Sequence, residues 1–408
     1  MQTKYKVSKW YFIDCGGKKA QGGIPDSDLN KIDYESRRKA GVLIIGGGII
    51  GLSIAYYVSL RDYQDVEVIE REPELTLHAS GHNAGGIGGL HEHTPRALRP
   101  LFERTPEIYA ELARTPNFEF EYNLGGTISL VPRGEEAETE RRISEFRRET
   151  GARVQLLNTS DLRKREPHVA SENFNLAIYY PYDAQGNSKK LGQCFEAGSV
   201  ARGHTKISTG VEVLGFTCRG KRIESVKTTR GTIEPEIVVL SAGPWTQSIG
   251  AKIPNLALPI KPIKGHLITT EVVNERVLTS FIDGPNYYVM QTKQGNLVVG
   301  GGEDDTGFDV KVEEKRIQEA WSEGVALVPR LKSLKRVSIS ACLRPYAPDG
   351  IPIIGRTEKY ENLIVAAGHF RFGFSLAPIT GKLVSQLIVN GRPEIDLADF
   401  SCRDGSLL

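Results

Sequence analysis

A continuous apolar run, Val42-Leu43-Ile44-Ile45, passes straight into Gly46-Gly47-Gly48-Ile49-Ile50-Gly51, and few folds accommodate that junction. An unbroken apolar run suits a strand buried on both faces. Residues 52–60 then read as a helix and 66–70 as a second strand, a βαβ unit with glycines at its first turn. Gly46 permits the tight turn, Gly48 lets backbone approach a pyrophosphate, and Gly51 permits close packing of helix on strand. The helix N-terminus stabilises phosphate charge. Glu70 stands 19 residues beyond Gly51, where a carboxylate accepts hydrogen bonds from both ribose hydroxyls and disfavours a 2′-phosphate. Ile49, Ile50 and Arg71 flank these positions and join the expected dinucleotide contacts. The fingerprint alone does not choose between NAD and FAD.

Composition excludes more than it selects. The 408 residues are enough for two or three domains, and 52 basic against 50 acidic residues leave a net charge of +2. Such a balance provides no global field for nucleic acid or an anionic membrane. The basic cluster from Arg141-Arg142 to Arg147-Arg148 is interleaved with Glu140, Glu145 and Glu149 and reads as a solvated helix face. The 43 glycines point to tight turns and close backbone approach to a ligand. Cys15, Cys194, Cys218, Cys342 and Cys402 are scattered and lack C-x-x-C spacing, which favours a reducing compartment over a zinc or iron–sulfur site. Lys4, Lys6, Lys9 and Asp14 interrupt any signal-peptide core, and no stretch of about 18 apolar residues marks a transmembrane segment. A cytoplasmic location is expected, with peripheral attachment to the inner membrane face as an alternative. Among His82, His91, His93, His266 and His369 only His91-x-His93 is closely spaced, and no metal site is expected. His91 and His93 read as solvated loop residues or as neighbours of a cofactor face.

Residues 1–37 read as an N-terminal arm that either packs on the body or frays, its aromatic stretch at 4–14 being followed by Gly16-Gly17 and Gly22-Gly23. Helices are predicted over 99–113, 135–150, 189–202, 313–327 and 378–389. Strands are predicted over 211–213, 223–228, 237–240, 297–299 and 363–368, with no internal repeat.

Four further motifs decide the cofactor. Ser80-Gly81-His82-Asn83-Ala84-Gly85-Gly86-Ile87-Gly88 resembles the loop that runs along the flavin pyrophosphate in FAD-dependent amine and amino-acid oxidoreductases. Val239-Leu240-Ser241-Ala242-Gly243-Pro244-Trp245 resembles their second glycine strand-turn. Leu343-Arg344-Pro345, with Pro348-Asp349-Gly350 and Pro352-Ile353-Ile354-Gly355, resembles their C-terminal flavin motif, and Gly368-His369-Phe370-Arg371-Phe372-Gly373 the loop over the flavin ring. In this order the set resembles the D-amino-acid-oxidase-type superfamily over about residues 40–400, nearest its glycine oxidase, sarcosine oxidase and dye-linked proline dehydrogenase branch. The resemblance implies an α/β fold: a Rossmann-like FAD-binding domain from 38–98, 184–250 and 337–400, and an α+β substrate domain on a mixed sheet from 99–183 and 251–336, followed by a tail at 401–408. It implies FAD contacts at Ser80, His82, Asn83, Ala84, Gly85, Gly86, Ile87, Val213, Ala242, Gly243, Trp245, Arg344, Gly368, Phe370, Arg371, Phe372, Gly373 and Phe374.

The same resemblance implies the chemistry. Arg344 would hold a substrate carboxylate with its planar fork. Tyr288 would complete the clamp, with Tyr287 as its rival. Arg371 would place positive charge near the ring. Cys342 occupies a position that bonds the flavin covalently in monomeric sarcosine oxidases; a non-covalent flavin is favoured, and the link through Cys342 stays open. Val298 falls where those oxidases carry an oxygen-activating lysine. The implied reaction is dehydrogenation of a carbon–nitrogen bond, with proline as first substrate and an external electron acceptor. An oxygen-using glycine, sarcosine or D-amino-acid oxidase, or a flavin subunit of a larger electron-transfer complex, is the alternative. A homo-oligomer is left open.

Overall fold

The computed structural model describes residues 10–13, 19–22 and 36–402. Trp10–Ile13 and Lys19–Gly22 form an antiparallel hairpin. How the expected arm meets the body lies outside the described residues, as does the tail from 403 onward.

The apolar run that opens the βαβ unit is the centre of an eight-stranded sheet. Arg37–Ile45 pairs in parallel with Val66–Ile69 on one side and with Gly231–Leu240 on the other. Thr205–Ser208 extends the sheet beyond Val66–Ile69, and Leu363–Ala367 pairs in parallel with the end of Gly231–Leu240. A hairpin of Val213–Arg219 and Arg222–Thr228 joins the first half of Gly231–Leu240 antiparallel, and Ile353–Arg356 closes the other edge. Val42, Leu43 and Ile44 are fully enclosed, as burial on both faces requires.

Ile49–Ser59 is apolar on every side, the signature of a helix buried all round. It packs on Gly373–Val389 so closely that the Ser53 hydroxyl donates to the Ala377 carbonyl at 2.8 Å, and a Cβ on Gly381 would stand 2.7 Å from the Ser53 carbonyl carbon. Gly373–Val389 starts five residues before the predicted 378, because Pro378 sits inside it rather than opening it. Proline cannot donate to the carbonyl four residues earlier. That carbonyl, of Phe374, instead accepts from the hydroxyl of the fully buried Tyr109, so the helix continues through the proline. Phe370–Val389 is long and apolar enough to cross a membrane by composition, but 72% of that window is buried inside the protein, where it serves as a core helix.

The second eight-stranded sheet runs in the order Arg336–Tyr346, Lys261–Val272, Asn296–Asp304, Tyr287–Gln291, Phe281–Asp283, Thr127–Leu130, Leu176–Tyr180, Gln155–Asn158. It is mixed: Phe281–Asp283 and Thr127–Leu130 are parallel and the other pairs antiparallel. Two boundaries differ from the sequence reading. Arg336–Tyr346, expected at the start of the third cofactor-domain piece, pairs with Lys261–Val272 in this second sheet. Arg99–Arg114, expected in the substrate domain, packs Leu101, Phe102 and Tyr109 into the same core as Val42, Ile54 and Leu383.

Candidate active site

The two sheets enclose a cavity of about 1450 Å³, above the roughly 300–1,000 Å³ usual for small-ligand sites. One end is built by the glycine turn. Gly46 has φ +117°, and a Cβ there would come within 2.5 Å of the Ser241 carbonyl oxygen; a Cβ on Gly51 would overlap the Gly46 carbonyl. Gly47 N–H donates to Glu70 Oε2 (2.7 Å) and Glu72 N–H to Glu70 Oε1 (2.8 Å), which fixes the carboxylate while each oxygen keeps capacity for a hydroxyl donor. Gly46, Gly48, Ile49, Ile50, Glu70 and Arg71 line the cavity; Gly51 lies behind it as a packing residue. Farther out, the Arg71 guanidinium lies 4.7 Å from the Trp245 ring centroid, with His78 and Phe308 on the same ring.

The middle of the cavity is walled by Ser80, His82, Asn83, Ala84, Gly85, Gly86 and Ile87 on one side and by Val213, Ala242, Gly243 and Trp245 on the other. Ser80 Oγ accepts from Ile49 N–H at 2.9 Å, at the N-terminus of the buried helix. Asn83 holds the loop, donating to Ser80 O (2.8 Å) and accepting from Gly85 N–H (2.9 Å). Burial pulls the His82 imidazole below its ordinary pKa, so it is neutral near pH 7.

The second sheet forms the floor of the other end. Leu267, Gly300, Tyr288, Asp283 and Ser129 are successive register partners across five strands. Directly opposed residues share one face, so their side chains form a row. Cys342 is opposite Gly265, two residues from Leu267, and Arg344 is two residues farther along. The pleat therefore places Arg344, Cys342 and Tyr288 on one face. Tyr287 points the other way, toward the charges of Glu319, Arg316 and Glu323, which separates the two tyrosines. Two glycines that the sequence reading missed make room for the pair. A Cβ on Gly265 would overlap the Arg344 guanidinium, and one on Gly300 would overlap the Tyr288 hydroxyl. Arg344 Nη1 donates to Gly302 O at 2.7 Å. Burial pushes the Tyr288 hydroxyl up to about 12, with Arg344 pulling it partly back, so it is a neutral donor.

Phe370, Arg371, Phe372, Gly373 and Phe374 line the cavity from the opposite side, with Phe370 in the left-handed region at φ +50°. Arg371 pairs with Glu303 at 3.3 Å. Gly368 lies behind this wall, where a Cβ would meet Ile260 at 2.7 Å. His91 is no solvated loop residue: Nε2 is 2.7 Å from the buried Asp183 Oδ2, the ring stacks on Tyr180 at 3.8 Å, and it lines the cavity. Burial lowers its pKa, but Asp183, Glu92 and Asp283 together raise it more, and the net shift is upward. His93 points outward and pairs with Glu92. Val298 does not line this cavity. It lies on a separate one of about 520 Å³, with Met290, Ala84, Arg276 and Lys293.

The residues present fit FAD. The cradle excludes side chains where backbone must approach phosphate, and two buried cavity-lining nitrogens, Trp245 Nε1 and His369 Nδ1, have no hydrogen-bond partner among the described residues. Cys342 Sγ donates to His82 O at 3.1 Å, and burial raises its pKa. Both favour the thiol over the thiolate that a bond to the cofactor needs. Acid precipitation of the purified protein is accordingly expected to release all yellow colour into the supernatant. A yellow pellet that Cys342→Ser abolishes is the opposing result.

The family described as FAD dependent oxidoreductase matches residues 41–387. Glycine oxidase of Geobacillus kaustophilus is 28% identical over 366 residues, spanning 88% of this chain and 96% of that protein. Its crystal structure superposes with a TM-score of 0.82, covering 90% of this chain and 98% of its own. A D-amino acid dehydrogenase of Cereibacter sphaeroides is 26% identical over 413 residues, spanning 88% of this chain and 94% of that protein. L-Proline dehydrogenase from P. horikoshii, at 24% identity, shares the fold with a TM-score of 0.82, over 90% of this chain and 97% of its own.

Proposed function

The chain belongs to the family of FAD-dependent oxidoreductases, and on that premise we propose that it dehydrogenates a carbon–nitrogen bond of a small amino acid, proline first, passing the electrons to an external acceptor. The observation that carries this reading is Arg344 and Tyr288 on one face of the cavity floor, each seated against a glycine. Arg344, steadied by Gly302 O, keeps N–H donors for a carboxylate, and the neutral Tyr288 hydroxyl adds another. Held at its carboxylate, an amino acid has its nitrogen and α-carbon confined to the cavity beside the Arg344–Tyr288 pair. That positioning supplies much of the rate. FAD, when bound, accepts the hydride that leaves carbon. Phe281, Phe370 and Phe372 exclude water from the imine as it forms. Arg371 contributes positive charge on the opposite wall.

Support for an acceptor other than oxygen comes from Val298, at the position where the resembled oxygen-activating enzymes carry lysine: it is aliphatic and lines the smaller cavity, so this position brings no cation to the larger one. The second reading, an oxidase, is favoured by Arg371 on the wall of the larger cavity, a cation that would stabilise superoxide. A reducing, cytoplasmic setting accords with the free thiols of Cys194, Cys218 and Cys342. A panel of glycine, sarcosine, proline and D-amino acids, each assayed with a dye and with oxygen alone, tests the proposal. Proline with dye is expected to be fastest by at least about tenfold; equal turnover with oxygen would make the protein an oxidase.

A further inference from the structure

Resting on that functional reading, we propose that Asp283 accepts the proton of the substrate ammonium, so that the amine is neutral when hydride departs from the adjacent carbon. Near neutral pH an amino acid carries ammonium nitrogen. Losing hydride from the neighbouring carbon requires a nitrogen lone pair, so one N–H proton has to go first. In the balanced step, the ammonium N–H bond breaks and the proton joins a carboxylate oxygen of Asp283. The lone pair is then free to form the C=N bond as hydride leaves the carbon, bound FAD being the oxidant that would accept it, and the Asp283 proton later returns to solvent.

The cavity wall holds few groups able to take that proton. His91 is engaged by Asp183 at 2.7 Å and shifted toward its charged form. Tyr288 is held neutral as a donor, His82 sits in the middle of the cavity near His78 and Lys189, and burial holds the His369 imidazole down to about 3. Glu303 pairs with Arg371, and Glu319 and Glu323 lie on the Tyr287 side, toward Arg316 and Asn286. Asp283 remains. It is the direct register partner of Tyr288 on the cavity face, about one strand spacing from the clamp. The amino nitrogen, on the carbon next to the carboxylate, comes beside Tyr288 and so within reach of its neighbour across the ladder. The hydrogen bond described for the Asp283 side chain is a long one, 3.4 Å from Ser129 Oγ, which leaves acceptor capacity.

The charged groups whose fields reach Asp283 are His91 and, more weakly, the outward-pointing His93 from one loop and Arg371 from the turn above, with Tyr288 and Arg344 across the sheet. The Asp283 side chain is open to the cavity, but the surrounding protein desolvates the carboxyl and raises its pKa, and His91 and Arg371 pull it back only in part. The carboxylate therefore forms above the ordinary range for aspartate, where an acceptor works closer to neutral pH.

The test compares FAD-loaded wild type with Asp283→Asn, using proline or whichever amino acid the panel finds active. Wild-type kcat/KM is expected to rise through a single acid limb and level off. The variant is expected to lose roughly 100-fold at pH 7, to rise steadily toward the amine's own alkaline pKa, and to approach wild type there. A second readout needs no turnover: tetrahydrofuran-2-carboxylate, proline with oxygen in place of nitrogen, is titrated against the oxidised flavin spectrum. Its affinity is expected to be unchanged or tighter in the variant. A defect of equal size at every pH, an unaltered pH profile, or loss of analogue binding would each overturn the role of Asp283. A panel in which no amino acid reduces the flavin would instead overturn the functional reading beneath it.

Discussion

Replacing Arg344 with alanine lowers kcat/KM for the amino-acid substrate by roughly 30- to 1000-fold while FAD content stays at the wild-type level. Truncating one partner of a buried, charge-assisted pair costs about 2–4 kcal/mol, and the loss should fall mainly on KM because the carboxylate is held in ground and transition states alike. Gly265→Ala supplies the companion measurement. Its Cβ would overlap the guanidinium, the mobile end of a long side chain, so the protein should fold while Arg344 shifts from its seat. A smaller rise in KM, about tenfold, is expected for Gly265→Ala by the same pair energetics. Unchanged kinetics in Arg344→Ala with flavin retained would refute the clamp. Loss of flavin would show instead an arginine that serves the cofactor.

Substituting the fingerprint acts on FAD itself. Gly51→Val drives a branched side chain into the Gly46 carbonyl, which is main chain and cannot swing aside. The purified protein should be colourless or fail to accumulate. Glu70→Ala separates those outcomes, because it removes no packing volume from between strand and helix. It leaves the N–H groups of Gly47 and Glu72 without their acceptor and takes away the expected partner of the ribose hydroxyls. FAD affinity is expected to fall about 10- to 100-fold, the worth of hydrogen bonds to a charged group. Equilibrium dialysis of FAD measures it. Wild-type affinity in Glu70→Ala would show that the nucleotide is held elsewhere.

How far these positions could be read in advance depends on how local their causes are. The strand–glycine–helix–strand unit is contiguous, so the apolar run, the turn and Glu70 all stand in one window. The second sheet is assembled from partners far apart, such as Lys261 opposite Tyr346, and its strands went largely unread. The signal in one of them was present. Arg336 to Arg344 alternates polar and apolar, and its polar positions Cys342 and Arg344 are those that meet the cavity. Tyr287 and Tyr288 were inseparable in one dimension, and only the pleat distinguishes them. Gly265 and Gly300 look like ordinary breaks in strand pattern, since their role is to leave space for side chains 79 residues later and 12 earlier. Asp283 belongs to no motif and acquires meaning from Tyr288 across the ladder. The early start of the last helix was hidden for a similar reason, because Pro378 is tolerated only through Tyr109, 269 residues upstream.

The central claim is that the FAD held here is reduced by an amino acid bound through Arg344 and Tyr288. Anaerobic mixing of the purified yellow protein with proline, followed by admission of air, tests it in one cuvette. The account predicts that the flavin band bleaches fully with proline, that Arg344→Ala needs far more proline for the same bleaching, and that air restores the colour much more slowly than an added dye does. A flavin that stays yellow with proline and with every other amino acid in the panel would contradict it.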